Sequence, residues 1–235
     1  MAEVGAAVSA VTVMSSIGMA SVLSELKPQC ERAAGGPFTS ILDSSQALMT
    51  RIKARESADV AILTAEAIEE LTLAGIILAG SRIDLARSRI GVAVRPGAPR
   101  PDLSSTDGFV RSLLAASSIA HSRSGASGLY FAGLIERLGI AEQVRAKATV
   151  VATGFVAAHV VTGEVELGIQ QISELMAVPG ADIVGPLPAE IQSVTIFSAG
   201  IFTMAKNADA GRRLIGTLSE SAAAAVIAAK GLEPC

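Results

Sequence analysis

The chain has no tryptophan, one tyrosine and six phenylalanines among its 235 residues, so aromatics make up 3% of it. So few rings exclude a sugar groove built on aromatic platforms, and they exclude base stacking on single-stranded nucleic acid. Two histidines and two cysteines leave almost no material for a metal site, and no metal or other cofactor is expected. Cys30 and Cys235 lie far apart, in no metal-like spacing. They read as two free thiols, or as one disulfide if folding joins them. Basic residues number 19 against 22 acidic ones, for a net charge of −3. The basic residues form no stripe, which excludes a nucleic-acid partner. Mean hydropathy is high at +0.51. No apolar run nonetheless reaches the ~18 residues that cross a bilayer, so the chain is not expected to span a membrane. Residues 1–10 carry Glu3 and no basic cluster, and so do not read as a secretory signal. The expected location is periplasmic if a signal was removed, and cytoplasmic if the chain as written is complete. The phosphate-loop, dinucleotide and Gly-x-Ser-x-Gly signatures are also missing.

What is present is small and aliphatic. Hydrophobic residues make up 50% and charged residues 17%, so the core must be Ala, Val, Ile and Leu, which suits helices lying on a sheet. The length allows one large domain or two lobes of roughly 100 residues each. Strands are expected at 8–14, 38–42 and 59–63, alternating with helices at 18–33, 46–54 and 65–74. Pro28 weakens the first of these helices. Such alternation with short loops is the pattern of a parallel sheet covered by helices. A strand at 89–94 leads into a Pro-rich crossover at 95–101. Beyond it, strands at 118–121, 149–152 and 166–170 alternate with helices at 107–115, 127–138, 155–161 and 172–176. Gly185-Pro186-Leu187-Pro188 reads as a second linker. A strand-like run at 194–204 and helices at 208–218 and 220–229 close the chain. The simplest topology is α/β with two lobes: residues 1–88 plus 195–235 form the first, and 89–194 are inserted as the second.

Three strand-to-helix junctions pass through hydroxyls and small residues: Thr12-Val13-Met14-Ser15-Ser16-Ile17-Gly18, Leu42-Asp43-Ser44-Ser45-Gln46-Ala47, and Ala120-His121-Ser122-Arg123-Ser124-Gly125-Ala126-Ser127-Gly128. Free N–H groups and hydroxyls at helix N-termini form a ready anion site. The candidate ligand-binding residues are Ser15, Ser16, Ser44, Ser45, Arg123, Ser124, Ser127 and Gly128. Each serine reads either as a plain N-cap or as a ligand donor. Arg123 is either a solvated charge or a fork for a carboxylate. Gln170, at a strand end, is a further candidate for ligand or hinge contact. His121, at the end of a strand beside the third junction, is either a packed residue or a catalytic base. His159 and Tyr130 read as structural.

The order of these segments resembles the periplasmic molybdate-binding proteins of the type 2 solute-binding fold. The likeness runs through Glu56-Ser57-Ala58-Asp59-Val60-Ala61-Ile62-Leu63, Arg89-Ile90-Gly91-Val92-Ala93-Val94, Gly133-Leu134-Ile135-Glu136-Arg137-Leu138-Gly139-Ile140 and Thr162-Gly163-Glu164-Val165-Glu166-Leu167-Gly168-Ile169. The resemblance implies an oxyanion held by neutral donors: Ser15 or Ser16 as the first hydroxyl ligand, Ser44 or Ser45 as the second, and residues 124–128 as the second-lobe contact. It also implies an ABC permease as partner. The sequence departs from molybdate binders at Arg123, which a compact tetrahedral dianion does not need. It departs again at Gln170-Gln171-Ile172-Ser173-Glu174-Leu175 and at Val184-Gly185-Pro186-Leu187-Pro188-Ala189-Glu190, where it resembles the bacterial aconitate isomerases. The expectation is therefore a binding protein that closes on a small organic carboxylate rather than molybdate. The alternative is an isomerase that moves a double bond in a tricarboxylate. A cytoplasmic ligand sensor is a third reading.

Overall fold

The structure, a computed structural model, describes residues 10–235. Part of the expected first strand, Val8 and Ser9, lies outside the described residues. β1 (Val11–Ser16) runs into a 3₁₀ turn at Ile17–Met19, followed by α1 (Ala20–Glu25) and α2 (Lys27–Ala34). The single helix expected over 18–33 is thus broken at Leu26, and Pro28 stands in the first turn of α2. There its missing N–H has no helical acceptor to lose, so proline starts a helix rather than weakening one. Gly35, at φ 80°, closes α2 in the left-handed conformation.

β2 (Phe38–Asp43), α3 (Ser45–Lys53), β3 (Val60–Thr64) and α4 (Ala65–Leu73) follow. β2 and β3 both pair with β1 in parallel. The twelve-residue β4 (Ile83–Val94) leads to α5 (Thr106–Ala115), β5 (Ile119–Ser122), α6 (Ala126–Arg137), α7 (Ala141–Arg145) and β6 (Ala148–Val151). Then come α8 (Val156–Val161), β7 (Leu167–Gln171), α9 (Ile172–Met176), β8 (Asp182–Pro186), β9 (Val194–Ile201), α10 (Ala208–Ser219), α11 (Ser221–Ala229) and β10 (Glu233–Pro234).

The strand order is β2-β1-β3-β9-β4-β7-β5-β6, with β8 and β10 also pairing with β4. β4 joins the two halves. Ile83–Arg89 pairs antiparallel with β9, whereas Ile90–Val94 pairs antiparallel with β7 and β8. The sheet therefore curls into two lobes, each with its own core. One core gathers Val13, Ile62, Phe197 and Leu214; the other gathers Val92, Phe109, Phe131 and Ile169. A further layer, with Met14, Leu48 and Ile68, covers the opposite face of the first sheet.

Some elements differ from expectation. Residues 83–88 extend β4 beyond the expected strand, with Asp84 and Arg87 interrupting the apolar pattern. Asp84 is held by Arg82 and Ser198, and Arg89 pairs with Glu233. The expected linker at 185–188 begins inside β8, which Gly185 and Pro186 disguise as a loop. The run expected to 204 stops at Ile201. No helix of the described residues is long and apolar enough to cross a membrane. Cys30 is buried and Cys235 exposed, and both are free thiols.

Candidate anion site between the lobes

In α/β sheets, ligands collect outside the carboxyl ends of the strands. Here β1, β2, β3, β5 and β7 all end where a turn or helix begins. At the end of β1, the Ser16 hydroxyl accepts from the Gly18 amide at 3.4 Å. Ser15 is fully buried and donates its hydroxyl to the Ser16 carbonyl at 3.1 Å. Ser44 caps α3, accepting from the Ala47 amide at 3.2 Å, while Asp43 Oδ1 accepts from the Ser44 amide at 2.7 Å. Ser45 turns away: its hydroxyl accepts from the Thr64 amide at 3.3 Å and ties α3 to the end of β3. Thr64 in turn caps α4 by accepting from the Ala67 amide. This fourth hydroxyl junction was missed in the sequence, although a Thr leading into Ala65-Glu66 is an N-terminal signal.

The second-lobe junction is built differently. α6 has Gly125 at its N-cap and no side chain capping it, so its first N–H groups lack an acceptor. The Ser122 and Ser127 hydroxyls are buried beside this end without a hydrogen-bond partner. Glycine is required to bring these groups together. A Cβ on Gly128 would stand 1.9 Å from the Ser122 carbonyl oxygen, and one on Gly125 would stand 2.7 Å from the Ser122 hydroxyl. The Arg123 amide donates to the Val151 carbonyl at 2.8 Å, continuing the β5–β6 pairing. Its side chain is exposed and forms no ion pair among the described residues.

The lobes meet at this junction. Ser44 Oγ and Ser124 Oγ stand 3.0 Å apart, so a cap of α3 touches the loop that precedes α6. Beside this contact lies a pocket of about 270 Å³, lined by Ser45, Gln46 and Thr64 from one lobe and by Ser124, Ala126 and Leu129 from the other. Lys53 and Glu70 pair on its wall at 2.5 Å.

Gln170 Oε1 accepts from the Val156 amide at 2.8 Å, and its Nε2 donates to the Gly154 carbonyl at 3.4 Å. Gln170 thereby fixes the loop between β6 and α8. His121 is buried, with Nδ1 3.0 Å from the Ser122 carbonyl. A carbonyl only accepts, so Nδ1 carries the proton. The ring lies 5.3 Å from Phe131, and burial holds its pKa below the ordinary range.

One ionisable group escaped the sequence reading. Glu174, in the first turn of α9, is only 5% exposed and forms no ion pair among the described residues. Burial pushes its carboxyl up to about 8, with the Gln170 side chain pulling the other way. Its Oε1 lies 3.3 Å from where a Cβ on Gly18 would sit, so this acid of α9 faces the end of β1. The available signal was an acid inside the apolar run Ile172 to Met176, directly after a buried strand. No group of three His, Cys, Asp or Glu residues that could hold a metal ion occurs among the described residues.

Two α/β lobes sharing a curled sheet, with hydroxyls and helix N-termini facing a cleft, define the class of solute-binding proteins. The chain belongs to the family of bacterial extracellular solute-binding proteins, whose profile matches residues 11–233. Over 233 residues it is 38% identical to an aconitate isomerase from Pseudomonas sp, a match spanning 97% of this chain and 88% of that protein. Among solved structures it resembles the periplasmic molybdate-binding protein of Azotobacter vinelandii, with a TM-score of 0.78 and 20% identity, over 94% of this chain and 98% of that one. It also resembles the sulfate-binding protein SubI of Mycobacterium tuberculosis H37Rv, with a TM-score of 0.71 and 14% identity, over 96% and 87%.

Proposed function

We propose that this protein closes on a small unsaturated polycarboxylate and shifts its double bond, in the manner of an aconitate isomerase. The observation that carries the reading is the second-lobe junction. An uncapped twelve-residue helix presents its N-terminus beside two buried, unpartnered hydroxyls, Ser122 and Ser127, and next to the unpaired Arg123. Neutral donors at a helix end suit any oxyanion. Arg123, next in sequence to Ser122 and exposed, carries a planar guanidinium that would meet a carboxylate bidentately on closure. Ser16 and Ser44 would supply donors from the first lobe.

The chemistry needs two things: a base for an acidic allylic C–H, and donors for the charge that develops on the adjoining carboxylate. The α6 N–H groups and the two hydroxyls are preorganised for the second need. Closure would be a hinge motion, with the lobes taken as residues 1–88 plus 195–235 and residues 89–194. The exchange of partners along β4 between Arg89 and Ile90 supports that division. The 38% identity to an aconitate isomerase supports the substrate class.

The test is incubation with trans-aconitate while cis-aconitate is followed chromatographically, alongside calorimetric titration with trans-aconitate, molybdate and sulfate. Turnover together with carboxylate binding is expected. Tight binding of molybdate or sulfate and none of trans-aconitate would overturn the carboxylate assignment. Carboxylate binding without turnover would favour the second reading, a carrier that presents its ligand to an ABC permease. The single hydrogen bond between Ser44 and Ser124, easily broken when the lobes open, suits such a carrier.

A further inference from the structure

Besides the Cys30 thiol, which burial pushes up to about 11, the described residues bury three ionisable groups, Asp59, His121 and Glu174. Asp59 is committed to structure. Its carboxylate accepts from the amides of Thr12 and Asn207, both at 2.8 Å, beside the start of β1 and away from the strand ends that form the site. The Nδ1 of His121 is spent on the Ser122 carbonyl and its ring rests on Phe131. Glu174 is committed to no cation. It sits in α9 directly after β7, between Gln170 and Gly18 of the 3₁₀ turn that follows β1.

We infer that Glu174 is the group that carries the proton in this isomerisation. The inference rests on the isomerase reading of the cleft. Ionised Glu174 would take a proton from the acidic methylene of the substrate. The C–H electron pair becomes the new carbon–carbon double bond. The electrons of the old double bond take up a proton at the far carbon, returned by the carboxyl just formed. One proton leaves and one arrives, so no oxidant or further reactant is needed. A single carboxylate can serve both ends if both carbons present the same face.

The surroundings of Glu174 favour this exchange. No charged side chain acts on it, and only burial and Gln170 shift it. The elements packed on α9 are β4, β7, β8, α8, the 3₁₀ turn at Ile17–Met19 and the turn at Gly231, whose flanking Lys230 and Glu233 pair with Glu25 and Arg89. Residues 90–94 of β4, the whole of β7 and the 3₁₀ turn are uncharged. Asp182 of β8 is paired with Arg100, and His159 of α8 with Glu164. A carboxyl ionising at about 8 is a stronger base than an exposed one and can still release its proton near neutrality.

The test is Glu174→Gln, near-isosteric and neutral like the buried acid. Turnover of trans-aconitate should fall by about 100-fold or more, with affinity by calorimetry within about threefold of wild type. In D2O, wild type should wash deuterium into recovered trans-aconitate and the variant should not. Across pH 7–9, kcat/KM of wild type should rise as the acid ionises, because kcat/KM reports the free enzyme. An active wild type with an equally active variant would overturn the inference and leave the isomerase reading standing. So would a flat wild-type pH profile, a result that does not depend on the variant folding. A wild type without turnover would overturn both.

Discussion

Gly128→Ala puts the junction between β5 and α6 under a calculable load. The added Cβ would lie 1.9 Å from the Ser122 carbonyl oxygen, 2.5 Å from its hydroxyl and 2.7 Å from its carbonyl carbon. Two of these atoms are backbone at the end of a buried strand, so no side-chain rotation relieves the contact. The start of α6 must move off by about an ångström. Alanine in place of glycine inside a helix gains ~0.5–1 kcal/mol, while overpacking costs ~1–3 kcal/mol, here towards the upper end. The balance is a net loss of roughly 1–2 kcal/mol, or about 2–8 °C in melting temperature for a chain of this length. Displacing the helix end would also weaken the hydrogen bonds it makes to the carboxylate in the proposed complex. Losing one such bond to a charged group costs ~1.5–3 kcal/mol, about 10- to 150-fold in affinity. Gly133→Ala on the same helix is the control. Its Cβ would meet only Arg137 Nη1 at 3.4 Å, so it should melt at or slightly above wild type with unchanged affinity. Thermal melts and calorimetry with trans-aconitate provide both readouts. If Gly128→Ala matched Gly133→Ala in both, α6 would not be held against Ser122 as described.

Two further perturbations follow from the same geometry. Ser124→Ala removes the hydroxyl that meets Ser44 across the lobes; a neutral hydrogen bond worth ~0.5–1.5 kcal/mol implies about a 2- to 10-fold loss of affinity, and unchanged affinity by calorimetry would mean that contact does not favour closure. Glu174 should also make stability depend on pH. Its carboxyl binds its proton more tightly folded, at about 8, than at the ordinary glutamate value of 4.5, so the folded state holds the extra proton between those values and loses stability as pH rises through them. Melts of wild type and Glu174→Gln at pH 5 and pH 9 should show the variant gaining on wild type at the higher pH, and a constant gap would refute the buried, unpaired carboxyl.

The parts of the fold legible in the sequence were those where local patterning and packing agree. The alternation of apolar strands and amphipathic helices marked β1, β2, β3, β5 and β7 and the helices after them. Serine before a helix marked a cap at Ser44 or Ser45, and the structure puts it at Ser44. Legibility failed where tertiary pairing overrides local chemistry. The first half of β4 carries Asp84 and Arg87, charges that hide the strand before Arg89 until Arg82 and Ser198 are placed beside Asp84 and β9 pairs along it. The segment of β8 reads as a linker because its Gly and Pro are tolerated only at a strand flanking the sheet path.

The same division holds at the site. The sequence determined that hydroxyls and small residues would stand at strand-to-helix junctions in a chain too poor in histidine, cysteine and aromatic rings for metal or stacking chemistry. That is a local property, set by residue type and neighbouring periodicity. Only the tertiary structure decided which hydroxyls remain free. Ser45 is consumed by the Thr64 amide, Ser44 meets Ser124 across eighty residues of sequence, and Ser122 and Ser127 keep unpartnered hydroxyls. Only the packing of α9 on the 3₁₀ turn after β1 buries Glu174 against Gly18. A carboxyl's proton affinity depends on the water it loses and the charges it meets, and both are set by segments distant in the chain.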